Sequence, residues 1–179
     1  MMIFIHCCRS LRLSACIAYL LWAAPAQTAM LSDNKLAGME LVGAASFKWL
    51  FWRLFDAELR SSEPSFDWDR PLALVITYRT DFSSEELTQA TLDEMRRVTS
   101  WETARIEVLR EPVARCMADV SAGDTFTAVS EDDASVRLYL NRDHRCTLSA
   151  PGLKRAYLGI WLSERSRYPE QSLALCGEK

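Results

Sequence analysis

The stretch from residue 71 to residue 95 constrains the fold of this 179-residue chain more than any other part of it. It begins with PLALVITYR, an almost continuous apolar run with β-branched residues, which is typical of a strand covered on both faces. A capping box then pairs Ser83 with Glu86, and Phe82 and Leu87 stand at the two positions of a hydrophobic staple. The sequence therefore predicts a buried strand followed at once by a helix that starts near Ser83.

Strand patterns lie on both sides of this helix in the chain. Residues 39–61 alternate without a helical stripe and predict two strands, with a break near residues 47–49. Residues 123–141 predict a hairpin, because two alternating segments flank the turn sequence EDDAS. The second strand of this hairpin has one apolar and one polar face, as is usual in an antiparallel sheet.

Further helices are predicted before and after this hairpin. The TSWE motif at Thr99 is a second capping box and predicts a helix that ends by about Arg110, because Pro112 follows. Pro151 predicts the start of a third helix with a complete apolar stripe, and Pro169 that of a short closing helix. The stripe of the third helix comprises Leu153, Ala156, Tyr157, Ile160 and Trp161. This order of elements predicts one α+β domain, an antiparallel sheet with helices on one face.

The first 29 residues differ from the rest of the chain. They contain no Asp or Glu, and two Arg precede an apolar run from Leu13 to Ala24 that ends at a small-x-small cleavage motif. This pattern predicts a signal peptide over residues 1–29, export to the periplasm and a mature domain over residues 30–179; an uncleaved N-terminal anchor is the alternative. The run is shorter than the roughly 20 residues of a spanning helix, so we expect no stable membrane insertion after removal of the leader.

Removal of this leader changes the charge and the cysteine count. It carries two of the 21 basic residues and none of the 24 acidic ones, so the formal charge changes from −3 to −5. No clustered basic face for nucleic acid is expected. Three cysteines remain, Cys116, Cys146 and Cys176, and the odd number leaves at least one thiol unpaired within the chain. Their wide spacing fits no redox or zinc motif, and we expect buried thiols rather than one disulfide.

The mature sequence offers few residues for catalysis or for metal binding. His144 is its single histidine, so we expect neither a metal site nor a cofactor. No nucleophile elbow and no glycine-rich phosphate loop occurs. Asp56 and Glu58 share one face of a predicted strand, and ion pairs with Arg53 or Arg60 explain them better than acid–base catalysis does.

Four segments together resemble the bacterial chalcone isomerase-like proteins, which are typically exported and have no assigned activity. The segments are VGAASFKWLFWRLFDAEL, LVITYRTDFSSEELTQATLDEM, GDTFTAV with VRLYLN, and AYLGIWLSE with YP. They occur in the order, spacing and character of that family over residues 38–177. The resemblance implies the chalcone isomerase fold, a curved antiparallel sheet layered with helices, which agrees with the α+β architecture predicted above.

The resemblance also implies where a cleft would lie. In the plant isomerases the cleft uses an Arg and a Thr from the first long strands, a Tyr and an Asn from the helix after the strand, and a Thr near the C-terminal helix. The corresponding positions in this sequence are Ala45 or Ser46, Phe55, Leu87, Glu94 and Gln171. Because none of them carries the residue of the enzymes, the cation and the hydrogen-bonding network for a phenolate are missing.

Three functions are compatible with these observations. The first is a non-catalytic binding protein for a small apolar or fatty-acid-like ligand, since the superfamily includes fatty-acid-binding members. Its candidate cleft residues are Arg53, Phe55, Tyr78, Leu87, Glu94 and Gln171. The second is an isomerase-type enzyme of unknown substrate that uses Tyr78, Glu94 or Asp56. The third is an envelope interaction protein with Trp49 and Trp52 exposed, although core packing explains these two side chains better. The oligomeric state does not follow from the sequence.

Overall fold

A computed structural model describes residues 36–178, and the predicted signal peptide lies outside these residues. Within them, six strands form one sheet in which neighbours in sequence are also neighbours in space. The strands are β1 (Glu40–Trp49), β2 (Trp52–Ser61), β3 (Leu72–Tyr78), β4 (Thr125–Ser130), β5 (Ser135–Leu140) and β6 (Asp143–Ser149). Every neighbouring pair is antiparallel, so the sheet is an open meander and the predicted antiparallel sheet is confirmed.

Five helices accompany the sheet in the described part of the chain. They are α1 (Ser84–Val98), α2 (Thr103–Glu107), α3 (Arg110–Cys116), α4 (Leu153–Leu162) and α5 (Pro169–Leu175). The first three lie in the connection from β3 to β4, and the last two follow β6. Their buried side chains share one core with a single face of the sheet, which confirms the α+β class.

Alternation along each strand gives the sheet two different faces. In β3, the side chains of Leu72, Leu74, Ile76 and Tyr78 belong to the core shared with the helices, and we call this side the inner face. Ala73 lies on the opposite, outer face and is also fully buried. The predicted coverage of β3 on both faces is therefore confirmed over its first half.

The predicted start of α1 is confirmed in detail. The Ser83 hydroxyl accepts a hydrogen bond from the Glu86 N–H at 3.2 Å, and the Glu86 carboxylate accepts one from the Ser83 N–H at 2.8 Å. Phe82 and Leu87 both pack against the core. Local sequence signals thus determine where the chain leaves the sheet and where α1 begins.

The second predicted capping box does not form. Thr99 instead closes α1, where its hydroxyl donates to a carbonyl of the last turn at 2.8 Å, and α2 starts only four residues later. The expected helix end by about Arg110 is confirmed, because α2 ends at Glu107, but a further helix that the sequence did not predict, α3, runs from Arg110 to Cys116. Pro112 lies in the first turn of α3, where a missing N–H removes no intrahelical hydrogen bond.

The turn between β1 and β2 lies later than expected. Its tip is formed by Leu50 and Phe51, not by residues 47–49, and Leu50 has a left-handed φ of 55°. Leu50, Phe51 and Trp52 are 74%, 98% and 73% exposed. The expectation that core packing explains Trp52 is therefore wrong.

The segment after the hairpin contains a strand that the sequence did not predict. This strand, β6, pairs with β5 at the edge of the sheet. The next helix, α4, begins at Leu153 and not at Pro151, because Gly152 adopts a left-handed φ of 73° as its N-cap. Its predicted apolar stripe is confirmed, with Trp161 half-buried and the other members buried.

A disulfide joins the helices to the sheet. Cys116 at the end of α3 is bonded to Cys146 in β6, with 5.4 Å between their Cα atoms. The expectation of three buried thiols is therefore wrong for these two residues, whereas Cys176 is free and half-buried. The two bonded residues are 30 positions apart, so their proximity depends on tertiary packing that the spacing alone does not reveal.

The closing helix α5 begins at Pro169 as predicted and packs against β1. Gly43 of β1 permits this contact, since a Cβ at that position would lie 2.1 Å from the carbonyl oxygen of Ala174. No side chain larger than hydrogen fits there without a backbone shift. The helix thus covers the first strand and completes the layer over the inner face.

Candidate ligand-binding site

A cavity of about 740 Å³ lies between the inner face of the sheet and the helices. Strands β2, β3 and β4 form one wall, and α1, α4 and the segment before α5 form the other. Its lining comprises Leu54, Phe55, Ile76, Tyr78, Phe82, Glu85, Glu86, Leu87, Gln89, Ala90, Thr91, Asp93, Glu94, Met117, Phe126, Tyr157, Ile160, Trp161, Arg167 and Tyr168. The volume is within the usual range of small-molecule sites, roughly 300–1,000 Å³.

Aromatic side chains of the sheet form the floor of the cavity. Phe55 stacks on Phe47 with 4.6 Å between ring centroids, and the ring of Tyr78 meets Phe55 edge-on at 6.3 Å. Phe82, just before α1, meets Tyr78 at 5.7 Å. This floor follows from strand alternation, because Phe55 and Tyr78 are register partners on the inner face of β2 and β3.

The helical wall combines apolar side chains with one buried phenol. Tyr157, Ile160 and Trp161 of α4 face the cavity, and Leu87 and Thr91 face it from α1. The capping box fixes the first turn of α1 and so positions Leu87 over the floor. The wall is thus assembled by α1, whose start the sequence determines, and by α4, whose apolar stripe the sequence determines.

Two phenol hydroxyls inside this cavity lack a partner. Tyr78 is 6% and Tyr157 is 2% exposed, and neither hydroxyl makes a hydrogen bond to any residue between positions 36 and 178. Burial raises the pKa of Tyr78, and burial together with the neighbouring Tyr78 raises the pKa of Tyr157. Both side chains therefore remain neutral, and each can donate one hydrogen bond into the cavity.

Charged side chains surround the mouth of the cavity. Its exposed lining includes Glu85, Glu86 and Asp93 from α1. Glu94 is more deeply placed and forms ion pairs with Arg97 of the same helix and with Arg167 at 2.5 Å. Arg167 is the cation among the described lining residues, and the mouth is therefore predominantly acidic.

The structure brings four of the six predicted cleft residues together. Phe55, Tyr78, Leu87 and Glu94 line the cavity, but Arg53 and Gln171 do not. Of the positions that correspond to the plant cleft, Ser46 lies on the outer face. Tyr157, which sequence reasoning assigned only to the apolar stripe of α4, also reaches the cavity.

Arg53 belongs to a polar cluster on the outer face. Asp56 accepts a hydrogen bond from the Ser46 hydroxyl at 2.6 Å and pairs with Arg53 at 2.8 Å and with Arg79 at 2.7 Å. Burial acts to raise the pKa of Asp56, but hydrogen bonds from Ser46 and Arg79 and the two positive charges lower it overall. We call these four residues the Asp56 cluster. The ion pair predicted for Asp56 with Arg53 is present, and a second one joins Glu58 to Arg60, also as predicted.

The described part of the chain contains neither a cluster of side chains for a metal ion nor a helix suited to span a membrane. Between residues 36 and 178, no group of three or more His, Cys, Asp or Glu side chains is arranged to bind a metal ion. Over the same range, no helix combines the length and apolar character that crossing a membrane requires.

Comparisons with known proteins identify the family of this domain. No curated protein sequence matches the chain significantly. A fatty-acid binding protein of Arabidopsis thaliana has a similar crystal structure, with a TM-score of 0.61 at 9% identity, covering 78% of this chain and 89% of the plant protein. At this identity the likeness concerns the fold alone. The model of a family described as chalcone isomerase-like matches residues 57–171, and the chain therefore belongs to the chalcone isomerase-like family.

Proposed function

We propose that this protein is an exported, non-catalytic binding protein that encloses a small apolar ligand between its sheet and its helices. The observation that carries the proposal is the cavity of about 740 Å³ with an aromatic floor and an apolar helical wall. Burial of apolar ligand surface there contributes about 25 cal/mol for each Å² removed from water. The similarity in fold to a fatty-acid binding protein supports the same type of ligand.

The residues at the plant cleft positions support the absence of catalysis. Phe55 and Leu87 contribute apolar surface where the isomerases have a Thr and a Tyr, and Glu94 places a carboxylate where they have an Asn. A carboxylate opposes the negative charge that develops on a phenolate. Asp56, considered above as a catalytic residue, lies in the outer cluster and not in the cavity.

Export to the periplasm is supported by two independent features. The leader over residues 1–29 has the pattern of a signal peptide, and the Cys116–Cys146 disulfide suits an oxidising compartment. Peptide mapping of protein recovered from the cell envelope tests the export. We expect a new N-terminus at Gln27 or Met30, and recovery of intact Met1 or Met2 would contradict it.

Ligand binding is tested by native mass spectrometry of protein purified from its own cell envelope. We expect a retained small apolar molecule that is released on denaturation. In parallel, the neutral dye N-phenyl-1-naphthylamine should bind the wild type and bind weakly to Ala90→Trp, which places an indole at the mouth. Ala104→Trp on α2, outside the cavity, is the matched control and should bind the dye like the wild type. Equal binding by all three proteins would mean that the dye does not enter this cavity.

Catalysis is tested with naringenin chalcone. The visible absorbance of the chalcone should decay at the same rate with and without purified mature protein. A faster, protein-dependent decay that Glu94→Gln or Tyr78→Phe abolishes would show an enzyme instead.

A second candidate function, an envelope interaction protein, is favoured by the exposed turn between β1 and β2. Leu50, Phe51 and Trp52 present apolar surface to water at its tip. Binding partners recovered from an envelope extract by the wild type, but not by a Phe51→Ser variant, would support this candidate. Identical recovery by both proteins would argue against it.

A further inference from the structure

The cavity contains two hydroxyls, those of Tyr78 and Tyr157, to which a purely apolar ligand would offer no hydrogen-bond acceptor. They come from opposite walls, one from the end of β3 and one from the middle of α4, and both residues are more than nine-tenths buried. Both phenols belong to the lining of the same cavity. Building on the binding function proposed above, we propose that both hydroxyls donate hydrogen bonds to an uncharged oxygen of the ligand, such as a carbonyl, ester or hydroxyl oxygen.

The need for a polar partner follows from the cost of burying these groups. Once a ligand displaces water from the cavity, a hydroxyl left without a partner lowers the affinity by roughly fivefold to a hundredfold relative to a hydrogen-bonded one. Phe would supply the same apolar surface without this requirement, as Phe47, Phe55 and Phe126 do on the same inner face. Two donors that line one cavity from opposite walls fit an acceptor oxygen, which has two lone pairs.

The charges around the cavity indicate that this oxygen is uncharged. Among the described lining residues, the cationic one is Arg167, and it is engaged by Glu94 at 2.5 Å. Glu85 and Glu86 add further negative charge at the mouth, whereas Asp93 is paired with Arg96 at 2.5 Å. An anionic head group would therefore pass an acidic mouth and then lie beside two neutral phenols, and Arg167, the cation of the described lining, already pairs with Glu94.

The ligand class that fits is thus an amphiphile with a long apolar body and a neutral oxygen function. This departs from a fatty acid, whose carboxylate is ionised at neutral pH. The body of such a ligand would occupy the aromatic floor formed by Phe55 and Phe82, and its oxygen would reach the two phenols.

The test uses displacement of N-phenyl-1-naphthylamine at pH 7.5 by three chains of matched length. These are 2-dodecanone, dodecanoate and a dodecyl hydrocarbon solubilised at the same cosolvent concentration. For the wild type we expect the ketone to bind at least fivefold more tightly than either of the others. In the Tyr78→Phe/Tyr157→Phe double variant, the ratio of ketone to hydrocarbon affinity should fall by about fivefold or more.

Tyr139→Phe is the matched control, because Tyr139 is equally buried but lies on the outer face away from the cavity. It should leave the affinities for all three chains unchanged. Infrared spectra of carbonyl-labelled 2-dodecanone provide a second readout. The carbonyl band should shift to lower frequency in the wild type and in Tyr139→Phe, and should lose that shift in the double variant.

The outcomes separate this inference from the proposed function. If the dye and all three chains fail to bind, the binding function is wrong and this inference falls with it. If the chains bind but dodecanoate binds as tightly as the ketone, only the inference is wrong. An unchanged ratio in the double variant overturns it as well. Weaker binding of dodecanoate to an Arg167→Gln variant would then assign an anionic head group to Arg167.

Discussion

The polar side chains on the two sides of the sheet differ in how many hydrogen-bond partners they have. On the outer face, the carboxylate of Asp56 receives hydrogen bonds or ion pairs from Ser46, Arg53 and Arg79, all within 2.8 Å. On the inner side, the hydroxyls of Tyr78 in β3 and of Tyr157 in the overlying α4 have no partner among the described residues, although both side chains are far more deeply buried. The two sites lie on the same strands, since Asp56 directly follows Phe55 of the cavity floor.

The difference separates a structural polar site from a binding site. In the Asp56 cluster every strong acceptor position is occupied by the protein itself, and the groups connect β1, β2 and the end of β3. Nothing is left to activate a substrate, which argues against acid–base catalysis by Asp56. In the cavity the two phenol donors have no partner between residues 36 and 178, so their hydrogen-bonding capacity is available to a ligand.

Replacement of Asp56 should give the largest effect on stability. Asp56→Ala removes the common partner of Ser46, Arg53 and Arg79, and we expect a loss of about 1–3 kcal/mol in the free energy of unfolding. Urea denaturation measures this value. Asp69→Ala, which removes a mostly exposed ion pair with Arg155, should have little effect and is the control. Equal values for the two variants would mean that the Asp56 cluster is no more structural than the rest of the surface.

The contribution of Asp56 should depend on pH. The folded state lowers the pKa of Asp56 below its ordinary value of 3.8. A depressed pKa in the folded state means that the contribution is complete above the unfolded value and is lost as the pH falls through the lower folded value. The stability gap between the wild type and Asp56→Asn should therefore be constant from pH 7 to pH 5 and narrow below about pH 4. Denaturation midpoints across this range measure it, and a gap that widens on acidification would contradict the sign of the shift.

Ser83 provides a paired polar group on the side of the cavity. Ser83→Ala removes the N-cap of α1 and should cost about 0.5–2 kcal/mol. The denaturation midpoint relative to the wild type measures this loss. The conservative variant Ser83→Thr, which keeps a capping hydroxyl, should recover most of it. An unchanged midpoint for Ser83→Ala would mean that α1 gains nothing from its cap.

The smallest effect on stability is expected for the unpaired phenol. Tyr157→Phe removes a hydroxyl that has no partner in the described protein, so the free energy of unfolding of the ligand-free protein should change by at most about 0.5 kcal/mol. Thermal or urea denaturation of delipidated protein measures it. A loss as large as that of Asp56→Ala would show that the hydroxyl has a structural partner, and the contrast between the two faces would disappear.

The parts of the fold that could be predicted depend on signals within a few residues. The apolar run of β3, the reciprocal hydrogen bonds of Ser83 and Glu86, and the stripe of α4 each appear in one short segment. Thr99 shows the limit of such signals. It starts a capping-box motif like the one that begins α1 at Ser83, but in the structure Thr99 ends α1. A side-chain hydroxyl can bond a carbonyl behind it as readily as an amide ahead of it.

The missed elements depend on contacts between distant parts of the chain. Strand β6 exposes most of its residues at the sheet edge, so it carries little of the apolar alternation that identifies a strand. Its pairing of Cys146 with Cys116 depends on where α3 packs.

As with the fold, only part of the candidate site could be predicted from the sequence. Phe55 was named because it corresponds to a plant cleft position, and Tyr78 because a phenol can act in catalysis; strand alternation then places both on one face. Arg53 has the same parity as Phe55 in the sequence, but the irregular pairing near Phe47 and Lys48 separates it from the cavity. Tyr157 looked like any other member of a buried stripe, because the pattern does not show that its hydroxyl faces an open space.

Cys176, the free cysteine of the described residues, affects how long the Cys116–Cys146 disulfide lasts. Only a thiolate attacks a disulfide, and burial, with a smaller effect from Glu178, raises the pKa of Cys176 to about 11. At neutral pH the sulfur of Cys176 is thus almost entirely protonated and its attack on other disulfides is slow. A free thiol usually exposes a disulfide-bonded protein to disulfide exchange, within itself and with its neighbours. In this fold the helix over β1 suppresses that exchange kinetically, so the Cys116–Cys146 bond persists while the folded state persists.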